Sequence, residues 1–421
     1  MRRIQRFILL VALLLGSGFL AAPAQARPVG AVPGACTDGV LPHGALSRIC
    51  IPASGWNGDL VVWAHGYTAF NQPLDFQNLT LSDGTYLPNL VQSLGYAFAT
   101  TSYRQNGLAI LEGVDDIGEL VAAFPPVPRR TYLTGASEGG IVTALAIERH
   151  PNLYSGGLAA CGPIGSFRQQ IDYWGDFRVL FNYFFPGVVP GDPTGVPPDV
   201  ISNWETVYVP AIKNALSQNP GKLNQLLNTS KAPFDLLNPA TKVTTVLDLM
   251  WYAVFATNDG VQKLGGVPFS NTGRWYWGSS NDLLLNLRVQ RIRATPAALT
   301  AMQAYETSGA LSRPLVTLHT TGDDVIPFWH ELLYVGKSRP TGAGSLTPVP
   351  IFRYGHCNFT STEVLAAFGL LVLRVAGSQP AALTQRFSLD QVQRDFARAQ
   401  REAARVLEAD RRVQAQHSAN R

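Results

Sequence analysis

Unbroken apolar runs alternate with helical periodicity from residue 46 onward. Residues 46–51 read as a short edge strand. Leu60-Val61-Val62-Trp63-Ala64 is apolar at every position, which predicts a central strand covered on both faces. Residues 87–94 fit a helix, 96–101 a strand, 111–123 a helix, 131–134 a strand, 140–148 a helix and 154–161 a strand. This alternation predicts an α/β chain with a mostly parallel sheet and helices on both faces. It then stops between residues 164 and 311. That stretch holds helical segments at 246–255, 282–292 and 296–308, and a Pro-rich loop at 185–193 that no central strand can contain. Strand character returns at 314–319 and 349–354. The pattern divides the chain into a core at 27–163 and 312–377, an inserted and mainly helical region at 164–311, and a charged helical tail at 378–421. Residues 27–44, rich in Gly and Pro, read as an irregular leader into the core.

Composition sharpens this picture at the two ends. With 46% apolar and 15% charged residues in 421, the chain has enough material for a sizeable core. Arg2, Arg3 and Arg6 precede nine apolar residues from Phe7 to Leu15, and Ala24-Gln25-Ala26 follows as a small-x-small site. This predicts a secretory signal peptide over 1–26, cleaved after Ala26, and a secreted or periplasmic protein. The apolar run is short for a stable membrane span, and no later stretch reads as one. The formal charge of +4 comes from those three arginines and the Arg-rich tail. The body between them is slightly acidic, which argues against a nucleic-acid partner. Four cysteines, Cys36, Cys50, Cys161 and Cys357, fit an oxidising compartment and two disulfides. Of the three pairings, one closes a small loop between Cys36 and Cys50 and leaves Cys161 with Cys357.

Candidate chemistry lies at the ends of the strands. Gly135-Ala136-Ser137-Glu138-Gly139 joins the strand at 131–134 to the helix at 140–148, with glycines where side chains would crowd a sharp turn. The pattern resembles the nucleophile elbow of the α/β-hydrolase superfamily, with Ser137 at its apex. Two further stretches carry the same resemblance. His319-Thr320-Thr321-Gly322-Asp323-Asp324-Val325-Ile326-Pro327 is similar to the family's acid turn and implies Asp323 as the triad acid, with Asp324 as its competitor. Gly355-His356, after the last strand, implies His356 as the base. The order Ser137, Asp323, His356 is the one this superfamily uses. The resemblance also implies a loop after His65-Gly66 that supplies one backbone N–H of an oxyanion hole, assigned to Tyr67, with the second from Glu138. His65 itself reads as a structural histidine, and Arg104 as a loop anchor. Asp115 and Asp116 read as solvated or capping charges.

The expected activity is that of a secreted serine esterase with a large cap, acting on a small-molecule or polymeric ester. A serine peptidase, aminopeptidase or amidase is the alternative, because Glu138 beside the nucleophile can meet a substrate ammonium. No zinc-ligand spacing and no dinucleotide fingerprint is present, so neither metal nor cofactor is expected. Trp275, Tyr276 and Trp277, set between turn residues, are the candidate pocket aromatics. Secreted feruloyl esterases and tannases resemble the chain in clamping the histidine loop with a disulfide. There the partner cysteine directly precedes the serine, where this chain has Ala136.

Overall fold

The computed structural model describes residues 31–81, 83–340 and 345–377. The expected signal peptide and charged tail lie outside these residues. One eight-stranded sheet organises the chain. Its strands are β1 (Cys36–Val40), β2 (Leu46–Cys50), β3 (Asp59–Ala64), β4 (Ala97–Thr101), β5 (Arg130–Ala136), β6 (Gly156–Ala160), β7 (Leu315–Gly322) and β8 (Leu346–Tyr354). Their spatial order is β1-β2-β4-β3-β5-β6-β7-β8. Strand β2 runs antiparallel to both neighbours, and every other pairing is parallel. This is an α/β-hydrolase-like fold with helical insertions.

The parallel strands follow from their composition. β4 and β6 are buried at every position and β3 at all but one, as expected of strands covered on both faces. One face carries α1 (Leu87–Ser93) and α12 (Ser361–Val375), the other α2 (Ile110–Ala123), α3 (Glu138–Arg149) and α11 (Trp329–Ser338). Between β6 and β7 lie α4 (Phe167–Phe184), α5 (Pro198–Ser202), a π-helical turn (Trp204–Tyr208), α6 (Val209–Gln218), α7 (Pro220–Ser230), α8 (Thr241–Lys263), α9 (Asp282–Arg288) and α10 (Pro296–Met302). Many of these helices share an apolar core of their own, around Phe177, Phe181, Trp204, Leu249 and Val254. Arg178, fully buried, holds the Pro-rich loop by donating to the carbonyls of Val189, Pro190 and Gly191.

Five expectations change, one being the helix expected over 296–308, which ends at Met302 and passes into a 3-10 turn over Gln303–Tyr305. The leader contains a strand: β1 pairs with β2 residue for residue, with Cys36 opposite Cys50. All five of its residues are exposed, so no apolar alternation marks it. α8 runs beyond the apolar stretch at 246–255 in both directions, from Thr241 to Lys263. α9 stops at Arg288, where Val289 turns extended. Asp116 is fully buried rather than solvated, because its carboxylate pairs with Arg104, which anchors the loop after β4. Among the described residues, no helix is long and apolar enough to cross a membrane.

Candidate active site

Ser137 sits where β5 ends and α3 begins. Its backbone adopts φ 57° and ψ −121°, a region unfavourable for a residue with a side chain. The surroundings fix it there. Ser137 N–H donates to Ala160 O at 2.9 Å, and Gly140 N–H donates to Ser137 O at 2.9 Å. The glycines on either side are sterically required. A Cβ on Gly135 would fall 2.2 Å from Gly139 O, and one on Gly139 would fall 2.0 Å from Ala64 O. Strand, turn and helix therefore approach more closely than any other residue permits, and the serine is thrust out at the apex.

His356 meets it from the loop after β8. The Ser137 hydroxyl donates to His356 Nε2 at 2.9 Å. On the far side of the ring, His356 Nδ1–H donates to Asp323 Oδ2 at 2.8 Å, with Oδ1 at 3.0 Å. Asp323 is fully buried and also accepts from the N–H groups of Val325 (3.0 Å) and Ile326 (2.8 Å). Burial opposes its charge. The positive fields and hydrogen bonds of His356 and His319 outweigh burial and hold the carboxyl well below the usual carboxylate range. Asp324 points elsewhere and accepts from the Tyr354 hydroxyl at 3.1 Å. Burial, and then repulsion by Asp323 and Asp248, raise its carboxyl. The structure thus brings together Ser137, His356 and Asp323, and leaves Asp324 outside the chain of hydrogen bonds.

A disulfide joins Cys161, just after β6, to Cys357. Both residues have positive φ, 43° and 49°. The Cys357 sulfur lies 3.5 Å from His356 Nε2, so the bridge packs directly on the imidazole. The second disulfide joins Cys36 to Cys50. Among the described residues, the one group with metal-ligand spacing is Cys161, His356 and Cys357, and both of its sulfurs are spent in the bridge.

No protein-family model matches the sequence, and no curated protein matches it. Solved structures with a similar chain path include an esterase from Pyrococcus furiosus, 11% identical with a TM-score of 0.42, where the match covers 85% of this chain and 99% of that one. Feruloyl esterase B from Aspergillus oryzae is 14% identical with a TM-score of 0.38, covering 74% and 71% of the two chains. An acylaminoacyl peptidase from Pyrococcus horikoshii is 14% identical with a TM-score of 0.37. The match spans 78% of this chain but 38% of that peptidase.

The loop after β3 reaches the site from the other side. Gly66 N–H donates to Asn78 Oδ1 at 3.1 Å, and Tyr67, next in the chain, borders the same cavity as Ser137. The Tyr67 hydroxyl is turned away and donates to Phe255 O at 3.2 Å. Its ring packs on Trp251 and Tyr252 of α8. His65 is buried, stacks on Tyr103, and donates through Nδ1 to Gly66 O at 2.6 Å. Burial lowers its pKa, so it stays neutral and shapes the loop.

Glu138 corrects one expectation. Its carboxylate is turned into the protein, where Oε1 accepts from Ala109 N–H at 3.2 Å. Only 7% of the residue is exposed, and burial pushes its carboxyl up to about 8. It does not border the cavity at Ser137, so it is not available to a substrate ammonium.

Trp275, Tyr276 and Trp277 are likewise remote from that cavity. Trp275 and Trp277 are exposed on the outside of the inserted region. Tyr276 is buried and donates to Asp176 at 2.5 Å. The aromatics that line the cavity at Ser137 are instead Trp63, Tyr67, Tyr96, Tyr252, Phe359 and Phe368. Tyr252, stacked on Trp174, brings its hydroxyl to the Ser137 side chain. Its neighbour in sequence, Trp251, faces a different part of the same aromatic cluster, and nothing in the local pattern separates the two.

Proposed function

We propose that the protein is a carboxylic ester hydrolase that works through Ser137, His356 and Asp323. The observation that carries this reading is the continuous hydrogen-bond chain from Ser137 Oγ through both nitrogens of His356 to Asp323. A hydroxyl in this setting is activated by the imidazole, and the imidazolium that forms is stabilised by the carboxylate.

In this mechanism Ser137 Oγ attacks the ester carbonyl as its proton passes to His356 Nε2. The new O–C bond pushes the carbonyl electrons onto oxygen. The backbone N–H groups of Tyr67 and Glu138 receive that oxyanion. Collapse restores the carbonyl and breaks the bond to the alkoxy oxygen, which takes the proton from His356 and leaves as an alcohol. Water then attacks the acyl-enzyme, gives a proton to His356, and the acid departs as Ser137 regains its hydrogen. His356 keeps its Nδ1 proton throughout, donated to the ionised Asp323, which fixes the tautomer.

Ester is favoured over peptide by what surrounds the serine. A peptidase that trims chain ends needs an ionic anchor for a terminus, and Glu138 is buried on another partner. The two disulfides support export to an oxidising compartment, as the N-terminal segment implies. Purified protein assayed in parallel against p-nitrophenyl acetate and a panel of aminoacyl p-nitroanilides tests the reading. Ester turnover with no anilide turnover is expected. Anilide turnover at equal or greater kcat/KM would replace this reading with the peptidase one.

A further inference from the structure

A cavity of about 360 Å³ opens at Ser137 and runs along one face of the sheet. Its origin lies in how that face is covered. α1 packs over β4, and α12 packs over β6 and β7. Residues of both helices line the cavity, together with Val61 and Trp63 of β3 and Thr134 of β5. Ser137, His356 and Tyr67 stand at one end. The rest of the wall includes Val61, Tyr96, Leu158, Leu318, Phe359 and Phe368. No Asp, Glu, Lys or Arg is among the described residues that line it.

We propose that this cavity holds the acyl chain of the substrate, and that the preferred substrates are esters of unbranched aliphatic acids of about eight carbons or more. The inference rests on the esterase reading of Ser137 and adds the substrate class. Three properties of the cavity support it. It contains the nucleophile and the base, so its occupant is joined to the reacting carbonyl. Its lining offers no charge to meet an amino, carboxyl or phosphate group, so a charged acyl group would lose its hydration without compensation. Its volume falls within the roughly 300–1,000 Å³ of small-molecule pockets, whose walls are mostly apolar. The acyl side is assigned because that half stays attached to Ser137 after the alcohol has gone. An arm held between α1 and α12 keeps the acyl carbonyl in place while water attacks. The segment beyond residue 377, with eight arginines and five acidic residues from 381 onward, is poorly suited to so apolar a space.

The test is a chain-length series on the full-length protein. p-Nitrophenyl acetate, butanoate, octanoate and decanoate vary the acyl group, and alkyl acetates from ethyl to decyl vary the alcohol. Each methylene removed from water favours binding about fourfold. A rise in kcat/KM of at least about tenfold from acetate to octanoate is expected, with a flat response along the alkyl acetates. Leu90 of α1 and Val364 of α12 also line the cavity, and Leu90→Trp and Val364→Trp, which fill it, are expected to bring the octanoate-to-acetate ratio of kcat/KM down toward one. Hydrolysis of acetate with no gain toward octanoate overturns the cavity assignment and spares the esterase reading. Length dependence confined to the alcohol series overturns the acyl assignment. If no ester is turned over by wild type, the esterase reading itself fails, and this inference with it. The wild-type series decides even if either tryptophan variant misfolds.

Discussion

His319 and His356 share one oxygen of Asp323. His356 Nδ1 lies 2.8 Å from Asp323 Oδ2, and His319 Nε2 lies 3.4 Å from the same atom. His319 is fully buried, donates to Ile326 O through Nε2 at 2.8 Å, and faces Glu331 Oε1 through Nδ1 at 3.2 Å. Burial opposes its charge, but the hydrogen bonds to Asp323 and Glu331 prevail and raise the imidazole to about 10. Asp323 is therefore held between two imidazoles, one facing Ser137 and one locked in the core. His319→Gln retains a donor but removes the charge. It is expected to lower kcat about tenfold with KM unchanged, and to move the acid limb of the pH–rate profile. A KM change alone would give His319 a purely structural role.

Ser137→Ala is expected to lower kcat about 10⁶-fold, as loss of the nucleophile does in a serine protease. The variant should also escape labelling by an alkyl phosphonate. Mass spectrometry of labelled peptides checks this, and a surviving adduct on another serine would move the nucleophile.

Asp323→Asn and Asp324→Asn are expected to separate sharply. The first presents an amide to His356 Nδ1, favours the wrong tautomer and costs about 10⁴-fold in kcat. The second leaves every bond to His356 in place and relieves a repulsion, so kcat should stay within about threefold. Steady-state kinetics of both variants decides between the two acids.

The Cys161–Cys357 bridge spans 196 residues. Chain entropy assigns such a loop about 5 kcal/mol, an upper figure. The double variant Cys161→Ala/Cys357→Ala is expected to unfold at lower denaturant concentration. Its kcat should fall about 10²-fold, the cost of a catalytic group displaced by about 1 Å. Chemical denaturation measures the first effect, and saturating-substrate kinetics under conditions where the variant is fully folded measures the second.

Glu138 gives a pH dependence of stability. Its folded pKa, about 8, lies above its ordinary 4.5, so the folded state favours the protonated form. The stability contributed by that proton is complete below about pH 4.5 and is lost as pH rises through 8. Glu138→Gln copies the neutral form and keeps the acceptor for Ala109 N–H. Its denaturation midpoint should exceed that of wild type at pH 9, with the difference shrinking toward pH 5. Equal midpoints at both pH values would refute the assignment.

The sequence was most legible where chemistry forces short-range patterns. A serine thrust out between a strand and a helix needs Gly135 and Gly139. An acid held by the N–H groups of its own turn needs the spacing from Asp323 to Ile326. Both requirements are local and leave a mark. β1 left none, because a five-residue exposed edge strand is held by pairing with β2 and by the Cys36–Cys50 bridge, not by burial. The direction of the Glu138 carboxylate was equally hidden, since it depends on Ala109, 29 residues earlier. Trp275 and Tyr252 look alike in a composition-based reading. Only the path of α8 sets Tyr252 over the serine and leaves Trp275 outside. The cavity is the least legible feature, because it is the gap between two helices that each obey ordinary rules.

The bridge between Cys161 and Cys357 also changes what a protease can do to this molecule. It closes a covalent ring that contains the inserted helices, Asp323 and His356, while Ser137 lies on the arm entering the ring. One cut anywhere in the ring, including the exposed loop around Leu236 and Leu237, opens it without detaching anything. The nicked protein keeps Ser137, His356 and Asp323 in a single molecule, and its two pieces separate on a gel only after reduction.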